Sequence, residues 1–329
     1  MYIVRGIYKT EIAFERTERN EMNQATNKKK SFSEMIGIVI TIIGGCCWGL
    51  SGTCGQFLFE YKDVTSKWLV PVRLTTAGLV MLVYFLISEK KKALRIWKDK
   101  RDVLDVIVYG IAGLMLCQFT YFYTIELSNA GTATVIQYIA PAIIMVLVCM
   151  SERRIPKILE VLALVLAVLG IFLLATHGNI HQLAISKEAL IVGLISAGTV
   201  VIYNLQPKRL LSRYSAPYIL SWGLTIGGIV LSCIFKPWEY TVQFDLGVFL
   251  GLFGVIGLGS IGGFSLYMQG VKLIGPARAS LYSCVEPIAA MLLSAVWLKV
   301  PFAAIDLVGS GCIIATILIL GFIDLKKDS

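Results

Sequence analysis

One carboxylic acid stands apart by its setting. Glu286 precedes Pro287 near the middle of the stretch GPARASLYSCVEPIAAMLLSAVWLKV, residues 275–300. Such a stretch can cross a bilayer as a helix, since roughly 20 apolar residues suffice. A charge at mid-depth costs about 2.5–3.5 kcal/mol on insertion scales, so such groups face a bundle interior and serve ions, protons or substrates there. Pro287 lacks an N–H and clashes with the preceding turn, so it should kink or loosen the helix beside the acid. Leu281, Val285, Ile288 and Leu292 recur at helical spacing and suit lipid. Ala279, Tyr282, Ser283, Glu286, Ala289 and Ala290 form a small, polar face that suits a cavity. An acid one turn from an aromatic ring, here Tyr282, is a receptor for an amine through charge and cation–π attraction. The same acid could instead carry a proton that exchanges with substrate.

The elements that must position Glu286 form a repeating plan. The stretch has a weaker twin 146 residues earlier, NAGTATVIQYIAPAIIMVLVCMSERR, residues 129–154. At that offset Pro141 lies under Pro287, Ala133 under Ala279, Met145 under Met291, and Glu160 under Asp306. The acid is not repeated, because Ala140 lies under Glu286. Gln137 faces the corresponding side of the twin, and Pro141 is its expected kink. Ten apolar segments follow the polar tail at 1–35, near 36–58, 68–88, 103–124, 130–150, 155–176, 188–206, 217–235, 245–270, 276–297 and 301–323. The expected organisation is a first five-helix repeat over 36–176, a second over 188–323, and a cytosolic end at 324–329. An odd number of spans per repeat sets the halves in opposite orientations, the inverted repeat of many secondary transporters. Translation could start at Met1, Met22 or Met35.

Composition excludes a soluble domain. The chain of 329 residues is 57% hydrophobic, with a mean hydropathy of +0.76, and only a bilayer can cover that much apolar surface. The net charge of +9 reports topology rather than nucleic acid. With the N-terminus inside, 24 of the 30 lysines and arginines fall in the tail and inner connections, which predicts that both termini are cytoplasmic. No cofactor or metal is indicated. The eight cysteines lie in apolar segments, where they read as small hydrophobes. His177 and His181 have i, i+4 spacing but no third ligand nearby. Arg73, Glu126, Glu160, Arg278 and Asp306 lie near span ends, where long side chains can snorkel to the headgroups. Gly257–Gly262 matches G-x-G-x-x-G only inside an apolar span. Gly45–Gly49 and Gly223–Gly227 match G-x-x-x-G, which allows close helix contacts and a possible homodimer.

In order along the chain, Trp48-Gly49, Arg73, the Asn129-Ala-Gly-Thr-Ala start of span four with Pro141, and Glu286-Pro287 resemble the EamA family of the drug/metabolite transporter superfamily. The resemblance covers about residues 36–323. It implies an all-α integral membrane protein of ten helices in a 5+5 inverted repeat, in a bacterial inner membrane, with a central cavity. Members move amino acids, choline-like amines and other small metabolites, often as exporters. By position, Trp48, Gln137, Tyr282 and Glu286 would border the cavity. The second half departs at Trp222, where a separate alignment of the early spans would repeat Arg73. The expected function is secondary transport of a small amine or amino-acid-like metabolite, with proton coupling as an option. An integral-membrane enzyme is the alternative, yet no H-E-x-x-H, G-x-S-x-G or multi-carboxylate cluster is present. A membrane sensor or scaffold is a third reading.

Overall fold

The computed structural model describes residues 33–177 and 184–327, so the tail through residue 32 and His181 lie outside it. Among the described residues every regular element is helical. The protein is a multi-pass membrane protein whose described residues form ten helices. Nine are each long and apolar enough to cross a membrane alone: α1 Ser33–Tyr61, α2 Ser66–Ser88, α3 Lys100–Leu127, α4 Ala130–Ser151, α5 Ile158–Thr176, α6 Lys187–Leu211, α7 Ala216–Phe235, α8 Leu246–Ile274 and α10 Ala304–Ile323. The remaining one, α9, is broken into α9a, Pro276–Ser283, and α9b, Val285–Val296. Several ends run beyond their expected limits, those of α1, α3 and α8 among them. The α6 span reaches Leu211, and α10 continues helically to Lys327.

Four landmarks recur at the 146-residue offset. Asp99 caps α3 by accepting from Arg101 N, and Asp245 caps α8 by accepting from Val248 N. Each acid also meets a base from elsewhere, Arg213 at 2.9 Å and Lys62 at 2.5 Å respectively. Those hydrogen bonds, followed by the cap N–H groups, hold both carboxyls below their usual range. Helices α3 and α8 each loosen into a π-helical stretch, Tyr109–Met115 and Phe253–Gly263, a feature common at functional sites. Helix α4, like α9, is divided in two: α4a, Ala130–Gln137, and α4b, Ala140–Ser151. The breaks fall at Tyr138 and Cys284.

The fourth landmark is a first-turn acid that accepts from a backbone N–H at the start of its helix. Lys157 N donates to Glu160 Oε2 at 2.7 Å, and Ala303 N donates to Asp306 Oδ2 at 2.9 Å. Neither acid snorkels. Arg154 grips buried Glu160 through both terminal nitrogens at 2.7 and 2.9 Å, and His177 Nε2 lies 2.7 Å from Asp306. The first-turn position explains the burial: each carboxylate satisfies an N–H that the helix itself cannot.

The halves pack with the reciprocity of a two-fold axis. A Cβ at Gly78 on α2 would sit 2.5 Å from Thr225 N on α7, and one at Gly228 would sit 2.5 Å from Thr75 N. Residue i thus touches the counterpart of j while j touches the counterpart of i, as in an isologous interface. This contact pairs Arg73 with Gly223 by position, one residue from the expected Trp222. The two G-x-x-x-G motifs are used inside one copy. Gly45 and Gly49 meet α9 at Ser283, Val285, Glu286 and Ala289, while Gly223 and Gly227 meet α3 at Tyr109, Gly110 and Leu114.

Candidate functional site: a central cavity between the broken helices

Both broken helices end at one cavity of about 1030 Å³. Its wall includes Tyr138, Ala140 and Pro141 at the α4 break and Ser283, Cys284 and Glu286 at the α9 break. Glu286 stands in the first turn of α9b, where the unpaired N–H groups and helix dipole favour a negative charge. The Tyr138 hydroxyl donates to Glu286 Oε2 at 2.7 Å. Pro287 is buried directly after the acid, and Pro141 lies in the first turn of α4b. Neither proline can donate a backbone hydrogen bond across the break it follows.

The other sequence-selected residues divide. Trp48 lies on the cavity wall, its ring 5.1 Å from Phe264 and 5.2 Å from Tyr267. Gln137 is also on the wall, donating to Ser196 Oγ at 2.8 Å. Tyr282 is half-buried and stands off the wall. The aromatic neighbour of the acid is therefore Tyr138, on the other half of the molecule. Its signal in the sequence was its register, since it lies under Cys284, two residues before the acid.

Arg73 is the functional candidate that the reading of span ends passed over. It is buried at 6% exposure on the cavity wall. Its Nε donates to Ser260 Oγ at 2.8 Å, within the π-helical stretch of α8, and its guanidinium lies 4.5 Å from the centre of the Phe122 ring.

The cavity is asymmetric along the membrane normal. Its wall continues past Glu286 to Arg154, Glu160, Pro207, Leu211, Ala216 and Ile323. These belong to the end that holds residues 33 and 327, because the number of helices is even. Toward the opposite end the α1 wall stops at Ser51. Beyond it Gln56 Oε1 accepts from Ala130 N at 2.9 Å and from Ser294 Oγ at 3.0 Å, tying α1 to α4a and α9b.

The sequence profile of the EamA-like transporter family matches twice, over residues 35–176 and 187–322. The chain belongs to that family. An inner membrane transporter of Salmonella typhimurium, YicL, described as uncharacterized, is 34% identical over 284 residues, spanning 86% of this chain and 94% of that protein. A Bacillus subtilis transporter, YyaM, likewise described as uncharacterized, is 24% identical over 235 residues, 68% of this chain and 73% of its own. One solved crystal structure superimposes with a TM-score of 0.59 at 16% identity, covering 88% of this chain and 98% of that one, a likeness of fold.

Proposed function

We propose that this protein is a secondary transporter that moves a small amine-bearing metabolite by alternating access, with Glu286 as the counter-charge or proton carrier at the central site. The observation that carries the reading is an acid at the break of α9, held by a tyrosine from the break of α4, on the wall of one large cavity. Discontinuous helices facing each other are where transporters of inverted-repeat design bind substrate. The two five-helix halves, 36–176 and 188–323, rock against each other about this point. The basic connections argue for cytoplasmic termini, so the cavity faces the cytoplasm and substrate loads there for export through a bacterial inner membrane. Trp48, Gln137 and Tyr138 shape the chamber around the acid.

The test is uptake and counterflow in liposomes, using wild type and Glu286→Gln reconstituted at matched amounts. Net transport of amines is expected to fall by at least about tenfold in the variant, equivalent to about 1.4 kcal/mol. If the acid only carries protons, the variant would lose net uptake yet keep exchange. Equal transport by both proteins across pH 5 to 8 would make Glu286 a structural acid. A reporter active only outside the cytoplasm, fused after Ser329, is expected to stay silent.

A further inference from the structure

Among the described residues, two hydrogen-bond donors on the cavity wall have no protein partner. Arg73 Nη1 and Trp48 Nε1 are both buried, and neither meets an acceptor. Both lie on the wall that also carries Glu286. Gly49, next to Trp48, packs against the Glu286 carbonyl, and Arg73 and Glu286 attract each other electrostatically, which sets both donors near the acid. Their anchors differ. Ser260 fixes the guanidinium on the α8 side, and Tyr138 fixes the carboxyl on the α4 side.

Burying a charge is costly unless it is paired or well hydrogen-bonded. Arg73 has one neutral hydrogen bond and one ring face, and among the described residues no acid lies within ion-pair distance of it, Glu286 attracting it only from farther off. The guanidinium of Arg154, lower on the same wall, differs because Glu160 and Glu152 occupy it. A planar guanidinium fork is matched best by a planar carboxylate. A simple amine entering beside Glu286 would add a second cation near Arg73. A zwitterion would add none, and would supply the acceptor that both idle donors need.

We propose that Arg73 and Trp48 form a carboxylate subsite opposite Glu286, so that the transported amine is an α-amino-acid-like zwitterion. This rests on the reading of Glu286 as the ammonium site. The substrate lies across the cavity, its ammonium toward α9b and α4 and its carboxylate toward α2, α1 and the π-helical stretch of α8.

The experiment measures binding to the purified full chain by thermal shift and calorimetry. The probes are the common L-amino acids, each with its primary amide and its decarboxylated amine. At least one amino acid is expected to bind about tenfold or more tightly than its own amide and amine. Arg73→Gln should erase that gap, Arg73→Lys should keep part of it, and Trp48→Phe should narrow it by about threefold. Trp48→Phe keeps a ring against Phe264 and Tyr267, so it carries the test alone if the arginine variants fail to fold. Amines or amides that bind as tightly as the amino acids, or a gap that survives these substitutions, would overturn the carboxylate subsite and leave the amine reading standing. Binding of neither amines nor amino acids would overturn both.

Discussion

Helices α4 and α9 break 146 residues apart, and each resumes with a proline in its first turn. Only α9 has an acid there; α4 has Ala140 in its place and a tyrosine at the break. The tyrosine reaches across to the acid. Elsewhere the halves agree more closely. Asp99 and Asp245 cap equivalent helices, Glu160 and Asp306 cap the next equivalent pair, and both π-helical stretches fall in register. Residues that match between the halves satisfy helix ends and allow breaks, needs that arise in either orientation. Residues that differ gather at the cavity, where the proposed substrate would require one acid and one set of donors. Duplication supplies a scaffold, and divergence at a few positions supplies the proposed site.

That contrast can be broken at graded cost. The largest effect belongs to the matched caps. Glu160→Gln removes the buried carboxylate from the first turn of α5 and leaves Arg154 with Glu152 alone, and should lower the unfolding temperature more than any other single change named here. Asp306→Asn, whose histidine partner is partly exposed, should cost about 1 kcal/mol. Thermal unfolding in detergent reads both, and equal losses would mean that the caps, despite their different partners, are equivalent.

Next comes the diverged pair. Moving the acid between halves, by Glu286→Ala with Ala140→Glu, should leave transport at least about tenfold below wild type, because Tyr138 stands on the same helix as the new acid. Restoration of flux would show that the two breaks are interchangeable. Removing only the hydroxyl, by Tyr138→Phe, should lower liposome transport by about fivefold, a hydrogen bond worth about 1 kcal/mol. Unchanged flux would reduce Tyr138 to packing.

The smallest effect is a pH dependence at the opposite end from the termini. Asp245 is held below the usual carboxylate range by Lys62. Its contribution to stability is complete above the ordinary carboxylate value, about pH 3.9, and is lost as pH falls through the depressed one. Unfolding temperatures of wild type should therefore drop below about pH 4, and Lys62→Met should flatten that slope. A slope unaffected by Lys62→Met would assign it to other acids.

Much of this was legible in the chain. Ten apolar segments and the offset of 146 needed no coordinates, because lipid demands about 20 apolar residues per crossing whatever the packing. Glu286 was equally visible, since an acid deep in such a segment is too costly to face lipid and must line an interior or a cavity. The break itself was less so. A proline announces a weakened helix, but Pro71 lies within α2 and leaves it continuous.

The partners of the acid and the base were decided by tertiary structure alone. Periodicity places residues on the face of one helix, so it offered Tyr282, one turn from Glu286. Packing offered Tyr138, 148 residues away. Counting from the span ends placed Arg73 within snorkelling reach of the headgroups, and the α8 stretch that holds Ser260 covered it. Local sequence specifies which segments cross the membrane and what each can present. Which donors meet which acceptors depends on how the two halves close on each other, and that is a property of distances between helices that no spacing within one helix records.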